Sequence, residues 1–180
     1  MTDKDREKWD SKYLKNLGGD DPSLILKDFF FLASPGKALD IACGNGRNSL
    51  FLAQKGFHVD AVDISTVALN HLAGRNQRIT AICQDMDTWN IPKNRYEIVV
   101  NVRFLDRRLF PMIQDGLKPG GVLIFESFTG GKNQDYCLKK NELLHAFLSF
   151  HIVYYEEKNA PHSDKFDQTI CLVAIKKTQA

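Results

Sequence analysis

ALDIACGNGRNSLFLAQKGFHVDAVDIS, Ala38 to Ser65, decides how the fold of this chain is read. Ala38 to Ala42 is a short apolar run bounded by turn residues, the pattern of a strand buried on both faces. Gly44 and Gly46 follow, where the backbone must turn sharply and a ligand can approach without a Cβ in its way. Arg47 to Lys55 carries Leu50, Phe51 and Ala53 ahead of a Gly56 stop and reads as a helix. Phe57 to Val62 is then a second strand, ending against Asp63. Strand, glycine turn, helix and strand make a crossover unit that binds nucleotides in open α/β sheets.

The same alternation extends in both directions. Ser23 to Ala33 is too apolar for an exposed helix and is ended by SPGK at Ser34 to Lys37. Downstream, Thr66 to Ala73 reads as helix, Ile79 to Cys83 and Tyr96 to Asn101 as strands, Leu109 to Leu117 as helix and Val122 to Glu126 as strand. After a helix over Asn141 to Phe150, Ile152 to Glu156 and Thr169 to Lys176 read as strands joined only by the polar loop Lys158 to Gln168. No crossover helix fits in that loop, so these two strands should pair antiparallel. The expected fold is α/β: a doubly wound, mostly parallel Rossmann-like sheet of about seven strands with an antiparallel strand at the C-terminal end. Ahead of it, Trp9, Tyr13 and Leu17 recur every fourth residue in an otherwise polar segment, Asp5 to Leu17, which makes an amphipathic flap. The breaker cluster GGDDP, Gly18 to Pro22, sets residues 1–20 apart as a helical flap or lid from a domain over residues 21–180.

With 180 residues, 43% of them apolar, the chain can bury one core. The net charge of +2 gives no electrostatic case for nucleic acid. Cys43, Cys83, Cys137 and Cys171 form no CxxC pair, so no zinc or other metal site is suggested, and they read as buried thiols of a reducing compartment. MTDKDREKWDSKY is charged where a signal peptide needs an apolar stretch, and no run approaches a membrane span; a soluble, cytoplasmic protein with no membrane partner is expected.

NAD and S-adenosylmethionine (SAM) would both use the glycine turn and Asp63, whose carboxylate stands where ribose hydroxyls are held. The third glycine of the dinucleotide fingerprint is replaced by Ser49, which counts against NAD. Asp40, inside the first strand, suits a ligand with a cationic amino group and sulfonium better than one with phosphates. A buried structural Asp bonded to loop amides is the alternative for that residue.

LDIACGNGRNS, the strand ending at Asp63, Gln84-Asp85-Met86, LKPGG at Leu117 to Gly121 and the closing antiparallel pair together resemble a class I SAM-dependent methyltransferase. GNGRNSLFLA, WDSKY and FLDRRLFP further resemble the small tellurite-resistance (TehB-like) methyltransferases. The resemblance implies that Asp40, Ala42, Gly44 and Gly46 flank the methionine part of SAM, Asp63 takes the ribose and Ile64 covers adenine. It implies that Asp85 accepts from the adenine amino group, the Met86 amide meets the ring nitrogen beside it, and Asn101 lines the wall near the sulfonium. Trp9 and Tyr13 would form a lid over the methionine end, the alternative being that Trp9 anchors the flap on the domain. Arg47 and Arg103 would reach a carboxylate or an anionic acceptor, the alternative being structural ion pairs; Arg107 and Arg108 read as solvated surface, and Phe29, Phe30 and Phe31 as packing. His162, in the last loop, matches a family histidine that is followed by Arg, but here by Ser163, a departure from the tellurite enzymes.

The implied function is methyl transfer from SAM, leaving S-adenosylhomocysteine, to a small-molecule acceptor, a soft or anionic nucleophile such as a thiol, selenium or tellurium species. Arg103, His162 and Tyr13 are the candidate catalytic residues, in a monomer or homodimer. An NAD-linked oxidoreductase and a non-catalytic SAM-binding protein are the rival readings.

Overall fold

The computed structural model describes residues 3–130, 136–159 and 168–178. Helices α1 (Asp3–Lys15) and α2 (Leu24–Phe29), with a 3-10 turn at Phe30–Leu32, precede strand β1 (Lys37–Ile41). Then come α3 (Arg47–Gln54), β2 (His58–Asp63), α4 (Thr66–Leu72), β3 (Ile79–Cys83), β4 (Tyr96–Val102), α5 (Leu109–Gly116) and β5 (Leu117–Thr129). Helix α6 (Glu142–Ala146), β6 (His151–Asn159) and β7 (Gln168–Ile175) follow.

The strands form a seven-stranded sheet in the order β3-β2-β1-β4-β5-β7-β6. Pairs from β3 through β5 are parallel, and β7 runs antiparallel to both β5 and β6. The expected fold is the one observed. The connection through α6 carries β6 one position beyond its neighbour, and β7 fills the gap because the loop before it is too short for a crossover. The chain winds outward from β1 to β3, then returns to lay β4 on the other side of β1. That reversal leaves a crevice at the carboxyl ends of β1 and β4, where open sheets of this kind bind ligands.

Alternate residues feed two cores. Leu39, Ile41, Val99, Leu123 and Phe125 face α5 and Phe147, while Ala38, Val59, Ala61, Ile98 and Ile124 face Leu26 of α2, Leu52 of α3 and Leu72 of α4. Asp60, almost fully buried, is compensated at the opposite end of the sheet by Tyr96 Oη (3.1 Å), Lys37 Nζ (3.2 Å) and Arg95 (3.3 Å). No helix among the described residues is long and apolar enough to cross a membrane.

Some boundaries differ from the sequence expectation. The apolar run from Ser23 breaks at Phe29, and the following 3-10 turn swings Phe31 outward to 66% exposure, so that ring is not core. Helix α6 is short because Asn141 is left-handed (φ 60°) and Phe150 N–H bonds back only three residues, to Phe147. Cys83 is exposed, unlike the other three cysteines.

Candidate active site

The loop after β1 departs from ordinary backbone three times within five residues: Ala42 (φ 51°), Gly44 (φ 56°) and Gly46 (φ 79°) are all left-handed. At Ala42 this conformation works against the side chain, so the surrounding structure has to impose it. Asp63, at the end of β2, does much of that work. Its Oδ2 accepts from Gly44 N–H and its Oδ1 from Ser65 N–H, both at 2.8 Å, stitching the loop after β1 to the loop after β2. Each oxygen keeps a lone pair for a further donor such as a hydroxyl. A Cβ on Gly44 would stand 2.6 Å from Tyr13 Oη, whereas one on Gly46 would strike Leu72. Gly44 thus leaves room beneath the flap, and Gly46 lets α3 start against α4.

These loops open on a cleft of about 1520 Å³ at the switch point. Asp40, Ala42, Gly44, Asp63, Ile64 and Met86 line one part of it. Trp9 and Tyr13 of α1 face it from above, and Arg47 and Arg103 from the side. Gly46, Asp85 and Asn101 are not among its lining residues. Asp85 Oδ1 accepts from Asp87 N–H (2.8 Å) in its own turn, and Asn101 lies behind the wall, between Ile41 and Phe125. His162 falls outside the described residues.

Burial dominates the electrostatics. It pushes the Asp40 carboxyl up to about 7, against the Ser49 hydroxyl that donates to it at 2.6 Å. Among the described residues no cation lies within ion-pair distance of Asp40. Burial likewise raises the Asp63 carboxyl despite its backbone hydrogen bonds, and raises the Tyr13 phenol. The half-buried Arg47 is lowered first by desolvation and then by the like charge of Arg103.

Helix α1 buries none of its residues fully. Trp9 and Tyr13 stack at 5.9 Å, with the Lys12 ammonium 4.2 Å from the Trp9 ring centre. The helix is pinned by Asp10, which accepts from Ser65 Oγ (2.5 Å), Val67 N–H (3.1 Å) and Thr66 Oγ1 (3.2 Å) at the start of α4. The sequence reading missed Asp10 because a capping carboxylate is ordinarily sought next to the helix it caps. The segment behind the flap is tied to the glycine loop: Asn45 Nδ2 donates to the Gly19 carbonyl (3.0 Å) and Arg47 Nη1 to the Asp21 carbonyl (3.2 Å).

Two arginines read as solvated surface are engaged. Arg107 forks onto Glu142 through Nε (2.5 Å) and Nη2 (3.0 Å), and also donates to the Cys137 carbonyl (2.7 Å), joining the start of α5 to α6. Arg108 is exposed but bridges Asp106 and Asp87 at the cleft mouth. Arg103 pairs with the buried Glu126 of β5 (3.1 Å), a partner the spacing of the two residues does not suggest.

The residues present fit a nucleoside donor with a cationic amino-acid end. Asp40 is buried with no cation in ion-pair distance among the described residues, and Ile64 and Met86 offer apolar walls.

Residues 38–121 match the family model described as a methyltransferase domain. The chain is 26% identical over 165 residues to the putative methyltransferase YqeM of Bacillus subtilis (strain 168), covering 77% of this chain and 67% of YqeM. It is 35% identical over 94 residues to the probable SAM-dependent methyltransferase TehB of Haemophilus influenzae (strain ATCC 51907 / DSM 11121 / KW20 / Rd), covering 48% of this chain and 32% of TehB. The aligned part thus spans only about a third of the TehB sequence. The crystal structure of Haemophilus influenzae TehB superposes with a TM-score of 0.76 at 21% identity, over 94% of this chain and 67% of that one. Burkholderia thailandensis 1,6-didemethyltoxoflavin-N1-methyltransferase, with bound 1,6-didemethyltoxoflavin and S-adenosylhomocysteine, superposes with a TM-score of 0.72 at 18% identity, over 96% and 87% of the two chains.

Proposed function

We propose that this chain, which belongs to the class I SAM-dependent methyltransferases and resembles TehB, moves the methyl group of SAM to a small-molecule acceptor that is a soft or anionic nucleophile: a thiol, selenium or tellurium species. The observation that carries the reading is Asp63, a buried carboxylate bonded to Gly44 N–H and Ser65 N–H at the switch point, beside a second buried carboxylate, Asp40, that has no cation in ion-pair distance among the described residues.

SAM, when bound, supplies a methyl group already activated by its sulfonium. What remains for the chain is to bind, align and exclude water. Asp63 would hold the ribose hydroxyls, Asp40 would face the amino group, Ile64 would cover one face of the adenine and the Met86 amide would meet its ring nitrogen. Residues 1–20 would act as a lid on a catalytic domain over residues 21–180, with Tyr13 closing over Gly44. Alignment of this kind gives effective molarities of about 10⁵ to 10⁸ M in well-oriented systems. A soft anion needs no base; for a hydroxyl or ammonium acceptor His162 would have to take the proton, because the buried Tyr13 phenol keeps its own.

Isothermal titration tests the donor. S-Adenosylhomocysteine should bind and NAD should not, and Asp63→Ala should weaken binding about 10- to 150-fold, the worth of a hydrogen bond to a charged group. Saturable NAD binding with silence toward S-adenosylhomocysteine sinks the reading. Transfer of radiolabelled methyl to a panel of thiols, selenite and tellurite then tests the acceptor, and transfer only to hydroxyl acceptors removes the soft-nucleophile assignment.

A further inference from the structure

Arg103 is built into the cleft with unusual care. It follows β4 in a left-handed conformation (φ 61°), a strained state for a long side chain that persists only where neighbours impose it. Glu126 imposes it twice, accepting Arg103 N–H at its carbonyl (2.7 Å) and Arg103 Nε at its carboxylate (3.1 Å). The carboxylate is only 11% exposed, the arginine side chain 58%. Because Glu126 takes Nε, the edge of the guanidinium formed by its two terminal nitrogens stays free, and among the described residues those nitrogens have no hydrogen-bond partner. Arg47, on the same cleft, has no carboxylate within ion-pair distance among the described residues and spends one nitrogen on the Asp21 carbonyl. Both guanidinium groups line the cleft and feel each other's charge, and among the described residues Glu126 is the one carboxylate in ion-pair distance of either. A planar edge with two parallel donors matches a carboxylate or a similar oxyanion, and a second cation nearby adds to the attraction.

We infer that the methyl acceptor carries, apart from the atom that is methylated, a carboxylate-like anionic group seated on the terminal nitrogens of Arg103, with Arg47 completing the seat and Glu126 as the positioning residue. This rests on the methyltransferase reading for the identity of the ligand as acceptor. Donor carboxylate and acceptor carboxylate share one chemistry, so the test separates them.

The full chain, labelled at arginine Nε and saturated with S-adenosylhomocysteine, is titrated with benzoate and, as a neutral control, benzamide, while the Arg103 Nε–H signal is followed by NMR. Benzoate should shift that signal saturably and benzamide should leave it in place. Arg103→Gln and Arg103→Lys, which lose the reporter signal and are read instead by isothermal titration of benzoate, should each weaken its binding about tenfold or more, since neither keeps the planar two-donor edge. Glu126→Ala should weaken it comparably, whereas Glu126→Gln, which still accepts from Nε, should restore binding to within about threefold. A purely structural Glu126 would show no such rescue at matched stability. All four variants should bind S-adenosylhomocysteine as the wild type does. If S-adenosylhomocysteine alone shifts the signal and benzoate then has no effect, the seat belongs to the donor and the inference is overturned. No response to benzoate in folded, donor-saturated protein overturns it as well. Should S-adenosylhomocysteine fail to bind at all, the donor reading falls, and the titration of donor-free protein still decides whether the seat exists.

Discussion

Asp10 in the flap and Ser65 at the N-cap of α4 share a 2.5 Å hydrogen bond across 55 positions of sequence. Ser65 is a junction. Its Oγ also accepts from Ala68 N–H (3.2 Å), and its N–H donates to Asp63 Oδ1. The carboxylate that pins the flap and the carboxylate that braces the glycine loop therefore meet on one serine. The position of α1 and the geometry of the site are coupled through it.

Asp10→Ala should release the flap. With no fully buried residue in α1, amide exchange across residues 3–17 should accelerate in the free protein, and affinity for S-adenosylhomocysteine should fall about fivefold, the discounted worth of partly exposed charged hydrogen bonds. Hydrogen-exchange mass spectrometry with and without ligand reads both. If exchange in that segment matches wild type, contacts such as that of Tyr13 with Gly44 hold the helix and Asp10 does not.

The two glycines of the loop should separate under substitution. Gly44→Ala puts a Cβ against Tyr13 Oη in a left-handed residue, so it should displace Tyr13 and lower donor affinity, with a stability cost of about 1–2 kcal/mol for the backbone alone. Gly46→Ala drives a Cβ into Leu72 and should cost more stability, because α3 can no longer start against α4. Urea denaturation together with titration of S-adenosylhomocysteine distinguishes them. Equal losses of stability and of affinity in both variants would mean the loop responds as one unit.

Why the fold was legible and part of the site was not follows from the range of the interactions. Ala38 to Asp63 announces itself by local pattern: an apolar run, glycines that only a turn requires, a helix with a glycine stop, and a second run. The last antiparallel pair was legible from loop length alone. Asp10, Glu126 and Glu142 were not, because each meets its partner across at least 23 positions and nothing in the spacing reveals which carboxylate finds which donor. Charge on a loop reads as solvated until the fold supplies a partner, as Arg107 shows. Element ends were blurred where backbone special cases intervene, at Asn141 and after Phe29.

Arg107 and Glu142 should behave as a coupled pair. Their fork joins the start of α5 to the start of α6, and Lys139 N–H adds a further hydrogen bond to Glu142 (2.7 Å). A double-mutant cycle with Arg107→Ala and Glu142→Ala should give a coupling energy of about 1 kcal/mol, kept modest because the arginine is partly solvated. Additive effects within error would return Arg107 to the role of a surface charge.

Asp40 makes the pH dependence testable in both directions. In the folded chain burial raises its carboxyl from 3.8 to about 7, so the native state holds a proton that the unfolded chain gives up. The stability that proton contributes is complete below the unfolded value and is lost as pH rises through the folded one, at about 1.4 kcal/mol per pH unit inside that window. Asp40→Asn has no such proton to lose. Its stability relative to wild type, from urea denaturation, should shift in its favour between about pH 4 and pH 7, and a pH-independent difference would mean that Asp40 stays ionised in the native state. The ammonium of a bound donor should reverse the preference by favouring the carboxylate. Binding of S-adenosylhomocysteine near pH 6.5 should then release protons, seen as a dependence of the titration heat on buffer ionisation enthalpy. The release should shrink in Asp40→Asn. If it persists undiminished, Asp63, whose carboxyl burial also raises, is the group that ionises, and the donor's amino group lies nearer to β2 than to β1.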